Sequence, residues 1–304
     1  MAAVTFEEVA AWNTSLMRRA NKGFVLIGDE DATIPAAFTS GVSAEFQELA
    51  DFRSLGLIAK DGAPTFRPEV QSNDVESWGA LEPTRTDILG MNLSVTFTAQ
   101  ETNKDTLSLH AGISLDDIVA DATTKEIQYN NPTSPATRYN RFIFGMVDGE
   151  GTNQVLILKI LPRATVSEIG EQSWSQESIL TYNFTLKAKI DEDLGYSMKN
   201  VICGPGVAGI LADMGFTATA HIPVISGRAP SGNLATAGGE ILVLSGDHFT
   251  GVTGVTVGGT AVLDYQLVDD NTLSIITPAK SASTVNVVVT NATGPSAGFS
   301  VTYA

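Results

Sequence analysis

A strict alternation of apolar and polar residues in the middle of the chain constrains its fold more than any other feature. Across residues 181–190 every second side chain is apolar, with Thr, Asn or Lys between them. Residues 91–98 repeat this pattern, which places the apolar side chains on one face of a half-buried strand. Two largely apolar runs, 141–147 and 155–160, flank the turn sequence D-G-E-G at 148–151 and predict a hairpin. The chain is therefore predicted to be mainly β.

Helical spacing is confined to short segments. Residues 5–8 have the capping-box form T-F-E-E, and the apolar residues that follow predict an amphipathic helix over 6–20 that flanks the β-structure. A short buried strand is predicted over 23–28, a second helix from Phe46 to Gly56, and a one-turn helix over 114–119.

The composition changes near residue 222. The first 222 residues hold 16 Lys and Arg against 29 Asp and Glu, a net charge of −13. The last 82 hold 2 against 5, a net charge of −3, and are rich in Gly, Thr, Val and Ser. There, β-branched runs recur between turn signals at the spacing of a β-sandwich. Two domains are predicted, 1–222 and 223–304.

The net charge of −16 argues against nucleic-acid binding by phosphate neutralisation, which needs clustered Lys and Arg. Apolar runs are shorter than the ~20 residues of a membrane helix. The first residues also carry acids where a signal peptide is basic. We therefore expect the chain to stay in the cytoplasm in which it is made, or to be assembled there into something larger.

Motifs that could carry chemistry are incomplete. Gly204, Gly206 and Gly209 match G-x-G-x-x-G, but the acid expected about 20 residues further on is missing, which favours a glycine-rich turn over a dinucleotide site. The triplets D-E-D at 29–31 and 191–193 lack the Gly and Glu of a calcium loop and are interpreted as solvated turns. No catalytic, cofactor-binding or metal-binding residue is predicted, so no enzyme is expected.

The single cysteine, Cys203, has no partner for an internal disulfide and no neighbouring His or Asn pattern of a catalytic thiol. We interpret it as a small buried apolar residue.

Two stretches resemble known families. Residues 52–62 contain the sequence L-G-L-I-A-K-D-G, residues 75–79 contain Trp78, and residues 93–103 end in E-T-N. Together with 139–149 and 181–190 they are similar to the major tail proteins of siphophages of actinobacteria. The second stretch is the whole of 223–304, in which G-G-E-I-L-V-L-S-G-D-H-F, V-T-V-G-G and I-T-P resemble the IPT/TIG immunoglobulin-like domain.

The first resemblance implies a tail tube domain, a β-sandwich or barrel with a flanking helix, in which subunits join into hexameric rings that stack into a tube. Such a tube conducts double-stranded DNA from capsid to host without binding it specifically, and the excess of acids predicts an acidic lumen. The implied partners are further copies of the chain, the tape measure protein, the tail terminator and the distal tail protein. The chain would be a virion component that is assembled in the host cytoplasm.

The second resemblance implies an Ig-like β-sandwich displayed on the tail exterior, in weak contact with the host surface. Ig-like domains also occur in adhesins. A surface adhesin or a carbohydrate-binding protein is therefore the alternative function.

Residues 70–89 are rich in turn formers and predict a long loop, yet they contain Trp78 and Leu81. In the family that the chain resembles, the corresponding loop reaches the adjacent ring. Trp78 and Leu81 are therefore candidate contacts between rings. The alternative is that Trp78 packs on the core of its own domain.

Overall fold

The computed structural model describes residues 5–40, 44–134, 136–219 and 221–304. Its first ten strands are β1 (Lys22–Gly28), β2 (Thr39–Ser40), β3 (Glu45–Phe46), β4 (Phe52–Ser54), β5 (Thr65–Val75), β6 (Arg85–Ala99), β7 (Asn140–Asp148), β8 (Val155–Ile169), β9 (Tyr182–Lys189) and β10 (Lys199–Cys203). Eight more follow: β11 (Val224–Ala229), β12 (Ile241–Asp247), β13 (Val252–Val257), β14 (Thr260–Ala261), β15 (Asp264–Asp269), β16 (Thr272–Ile276), β17 (Ser283–Asn291) and β18 (Phe299–Tyr303). The α-helices are α1 (Phe6–Ala10) and α2 (Lys104–Ala111).

The mainly β prediction is confirmed, and each strand predicted in the first 222 residues is present. Neither described α-helix is long and apolar enough to cross a membrane. The described residues form two compact units: one comprises 17–38 and 47–207, and the other comprises the remainder.

The first unit is built on an antiparallel sheet in the order β4-β1-β7-β8-β9-β6-β5, with β10 also paired to β8. Because side chains alternate along each strand, the sheet buries apolar residues on both faces. One face carries the larger cluster, which includes Val25, Val95, Phe97, Phe142, Phe144 and Phe184. The other carries Phe38, Phe52, Ile143, Leu158, Ile160 and Cys203.

Helix α2 begins where the sequence motif E-T-N ends. The Asn103 side chain accepts a hydrogen bond from the backbone N–H of Thr106 and donates one to the carbonyl of Leu55. Glu101 accepts from the backbone N–H of Leu57 at 2.7 Å. Gly56 has φ +82°, and a side chain there would collide with the Glu101 carboxylate. Two motifs of the first resemblance, L-G and E-T-N, are therefore in direct contact.

The helix predictions were less accurate. The predicted helix over 6–20 is only five residues long and ends before Ala11, whose φ is +45°. Beyond it the Asn13 side chain accepts from the backbone N–H of Ser15 and begins a 3-10 turn over Thr14–Leu16. Such local side-chain hydrogen bonds compete with the helical pattern. The helix predicted over 114–119 is wrong as well, because these residues form a turn after α2.

The predicted helix from Phe46 to Gly56 is wrong. Phe46 pairs with Thr39 in a two-stranded sheet, and Phe52–Ser54 pairs with the end of β1. The spacing of apolar residues within 46–56 reveals neither pairing.

The two acidic triplets behave differently. Asp29 is exposed and forms an ion pair with Arg53. Asp191 is 6% exposed, and its carboxylate lies 3.2 Å from Nη2 of Arg141. It also accepts from the backbone N–H groups of Asp193 and Leu194. The prediction of a solvated turn is therefore wrong for Asp191, which forms a buried ion pair with Arg141.

The G-x-G-x-x-G motif follows β10, which runs antiparallel to β8. It forms a 3-10 turn over Pro205–Val207, and Gly204 has φ +107°. The prediction of a glycine-rich turn is confirmed.

Residues from 223 onward contain two four-stranded sheets, β11-β12-β16-β15 and β14-β13-β17-β18. Their apolar side chains form one cluster that includes Leu242, Leu244, Phe249, Val257, Ile275 and Tyr303. The β-branched runs that predicted a sandwich, residues 241–244, 255–257, 273–276 and 285–289, all lie in strands, which confirms the predicted Ig-like sandwich.

Candidate assembly surface

Strands β5 and β6 continue beyond the body of their sheet. β6 pairs with β9 only over Ser94–Ala99, whereas β5 and β6 pair with each other from Thr65 to Val75 and from Arg85 to Thr96. We call residues 69–92 the arm and residues 76–84 its tip. The long loop predicted over 70–89 is therefore wrong: this segment is a hairpin, and only the tip is a turn.

Three large apolar side chains of the arm lie on one of its faces and are uncovered. Val70 pairs with Met91, and Ser72 pairs with Ile88 across a bulge at Leu89. Alternation puts Met91 on the same face as Leu93, Val95 and Phe97, which are buried in the core. Val70, Ile88 and Met91 are nevertheless 57%, 73% and 65% exposed. The apolar face of the core thus continues onto the arm, where the chain's described residues do not cover it.

The opposite face of this hairpin carries ion pairs. Arg67 forms an ion pair with Glu69 at 3.0 Å, and Arg85 forms one with Asp87 at 2.6 Å. A protruding element with one apolar and one polar face is typical of a segment that packs against a partner on one side and faces solvent on the other.

The tip holds its two large apolar side chains in solvent. Trp78 and Leu81 are 107% and 105% exposed. The turn itself is ordered by local hydrogen bonds: Ser77 and Thr84 share one between their hydroxyls at 2.8 Å, and the N–H of Thr84 donates to the carbonyl of Val75. The alternative that Trp78 packs on the core of its own domain is wrong. The structure presents both side chains on a preformed turn, where a partner can bury them.

The outer edge of β5 is also unpaired within the described residues, and it is 11 residues long. An edge of this length is a template for pairing with a strand of another chain. The surface that an assembly can use therefore includes the arm face, its tip and this edge.

Sequence reasoning identified Trp78 and Leu81 but missed the exposure of Val70, Ile88 and Met91. Met91 belongs to a clean alternating run, which predicts burial equally for every member of that run. Met91 is exposed because β9 pairs with β6 only over Ser94–Ala99. The alternation along β6 does not show where its neighbouring strand ends.

Chemistry elsewhere in the chain is sparse. In the part of the chain that the structure describes, no three His, Cys, Asp or Glu side chains lie close enough together to hold a metal ion. Cys203 is buried, as predicted, and burial raises the pKa of its thiol. A raised pKa keeps the thiol protonated and unreactive at neutral pH.

Comparison with protein families matches residues 10–196 to the family described as phage tail tube protein. The chain belongs to the phage tail tube protein family. Residues 223–303 match the IPT/TIG domain, so both resemblances are confirmed. Phage tail tube proteins are structural rather than enzymatic. Membership implies self-assembly into a tube and a place in the virion.

No curated protein matches this tail tube protein. Among solved structures, a gamma-CGTase from Alkalophilic bacillus clarkii is 15% identical with a TM-score of 0.25. The alignment covers 57% of this chain and 25% of that chain. The SGBP-B protein of a Bacteroides ovatus mixed-linkage glucan utilization locus, solved with a heptasaccharide, is 11% identical with a TM-score of 0.24. That alignment covers 70% of this chain and 60% of the other. Neither likeness supports a conclusion about fold or function.

Proposed function

We propose that this chain is the non-enzymatic major subunit of a phage tail, and that its copies join into hexameric rings which stack into a tube for double-stranded DNA. The observation that carries this proposal is the arm. Its apolar face is continuous with the core but uncovered, and burying each of its large side chains stabilises an assembly by about 1–2 kcal/mol. A ring in which strand edges meet also leaves no edge unpaired.

Electron microscopy of the purified full-length chain tests the proposal. Rings or tubes support it. Monodisperse, elongated monomers at high protein concentration would contradict it and favour the surface adhesin or carbohydrate-binding alternative.

The lumen of the tube is proposed to be acidic. The first 222 residues carry 16 Lys and Arg against 29 Asp and Glu, and their negative charge repels DNA phosphates so that DNA slides without adhering. We expect a resolved tube to show net negative charge on its lumenal surface, contributed by residues before 222. A basic lumen would contradict this prediction.

The Ig-like domain is proposed to span 223–304 and to project from the tail exterior, where it touches the host surface weakly. Its core consists of side chains between Leu234 and Tyr303. Because this core is self-contained, a chain ending at residue 222 is expected to assemble into tubes as well as the full chain does.

Sedimentation and microscopy of the 1–222 chain measure this outcome, and circular dichroism checks that the shortened chain is folded. A folded 1–222 chain that remains monomeric under conditions in which the full chain forms tubes would show that the Ig-like domain is needed for assembly.

The remaining partners are proposed from the family that the chain resembles. In such tails, copies of the tail tube protein assemble with a tape measure protein, a tail terminator and a distal tail protein. We propose the same three partners for this chain, with assembly in the host cytoplasm.

A further inference from the structure

A groove of about 420 Å³ lies where the body of the large sheet ends. Met146 and Ile157 pair side by side on β7 and β8, on the face that carries the main core. They are partly exposed because the core does not extend to the end of these strands. Phe66 and Leu57 form the walls, and Leu57 is 67% exposed. The groove is therefore an apolar recess within one unit of the chain, in the size range of sites that enclose a ligand or a large side chain.

Lysines surround this recess. Lys159 lies 4.9 Å from the centre of the Phe66 ring and donates to the side chain of Asn200. Lys60 is exposed at the rim. Within the described residues neither Lys60 nor Lys159 has a carboxylate partner, whereas Lys22 is paired with Glu150. The groove thus combines an apolar floor with two uncompensated positive charges, and it fits an occupant that is apolar at its centre and acidic at its edges.

The tip has this composition. Trp78 and Leu81 are fully exposed, and Glu76 and Glu82 flank them in a segment without Lys or Arg. The tip of the same chain is too distant to enter its own groove. Phe66 lines the groove at the base of β5, and a strand rises about 3.3 Å per residue, which places the tip about 30 Å or more away.

We propose that the groove receives the Trp78–Leu81 tip of a second copy, with Glu76 and Glu82 facing Lys60 and Lys159. This inference rests on the proposed function and specifies the surface that the arm contacts. Because tip and groove are different surfaces, the contact is heterologous, and such contacts join copies head to tail into rings or open filaments. Apolar character and charge both match in this pairing.

Cross-linking between two different chains tests the contact without requiring complete tubes. Ala80→Cys places a thiol in the tip beside both anchors, and Ala63→Cys places one at the groove. Equal amounts of the two variants, mixed with a short bismaleimide, are expected to give heterodimers. Ala122→Cys, an exposed alanine outside both surfaces, replaces either partner as the matched control. Cross-linking of the tip variant to the groove variant at no more than the control yield would overturn the proposal.

Charge reversal tests the pairing independently. Lys60→Glu in the groove chain or Glu82→Lys in the tip chain is expected to lower the heterodimer yield by roughly fivefold, since each places like charges together. The mixture that carries both reversals is expected to recover the yield. Equal yields for all four combinations would show that these charges do not face each other.

The outcome also separates this inference from the proposed function. If microscopy shows tubes but the tip does not cross-link to the groove, the proposed function is supported and the arm contacts a surface other than the groove. Cross-linking between tip and groove in a chain that never forms rings or tubes would support the contact and contradict the tube.

Discussion

Replacing both Trp78 and Leu81 with alanine is expected to stop tube growth while leaving the monomer folded. Both side chains are fully exposed, so their truncation removes no core contact and should change the free energy of unfolding by less than about 0.5 kcal/mol. At an interface an aromatic anchor contributes about 2 kcal/mol or more. Trp78→Ala alone should then weaken each contact by roughly 30-fold, and the double variant by several hundred-fold.

Sedimentation and microscopy at matched concentrations measure assembly, and thermal unfolding measures the monomer. Trp174→Ala is the matched control, because Trp174 is 84% exposed in a different loop and is expected to leave assembly unchanged. If the double variant forms normal tubes, the tip does not contribute to the contact between rings. A variant that unfolds would show that the tip stabilises the monomer instead.

The largest loss of monomer stability is expected from Asp191→Ala. Arg141 donates from Nη1 to the carbonyl of Ala32 at 2.7 Å and from Nη2 to Asp191 at 3.2 Å. Removing the carboxylate leaves a largely buried guanidinium without its counter-charge and two backbone N–H groups without their acceptor. Breaking a buried pair in this way costs about 3–5 kcal/mol.

Denaturant unfolding of the full chain, followed by a probe in the first unit, measures this change. Asp193→Ala is the control, since Asp193 lies two residues away and is exposed. A loss below about 1 kcal/mol for Asp191→Ala, or an equal loss for both variants, would show that the ion pair is not a main source of stability.

The strands were predictable because burial on one face leaves a local trace. In β9, Tyr182, Phe184 and Leu186 are buried, and the residues between them are not. The Ig-like domain was predictable from its β-branched runs between turn signals. Two of its strands, β12 and β17, also alternate between buried and more exposed residues. Cys203 followed from composition alone, because a lone thiol without a catalytic neighbourhood is most often a buried apolar group.

The helices and the arm were not predicted correctly because hydrogen bonds that the apolar spacing does not reveal decide their structure. Phe46 forms a strand because Thr39 pairs with it, although the spacing of its neighbours is helical. On the arm, Asp74 and Thr86 share a hydrogen bond across the two strands, and both are turn formers or polar residues when considered singly. A two-stranded arm exposed on both faces in the monomer shows no regular alternation.

The tip and the groove differ in the same respect. Trp78 stands out in the sequence as an aromatic residue among turn formers, so the tip could be found. The groove brings together Leu57, Phe66, Met146 and Ile157 from separate parts of the chain, and each is an ordinary apolar residue in its own segment. Only the fold places them around one recess.

The acidic tip and the lysine-rimmed groove are different surfaces of the chain. A polymer in which each tip binds the groove of the next copy therefore has a direction. If copies join tip to groove as proposed, one end of the polymer displays only free tips and the other only free grooves. A protein that binds the end with free tips has to offer an apolar groove with basic residues at its rim. A protein that binds the end with free grooves has to offer an apolar projection with acidic residues. The two ends therefore demand different caps, and a single protein with one such surface cannot close both.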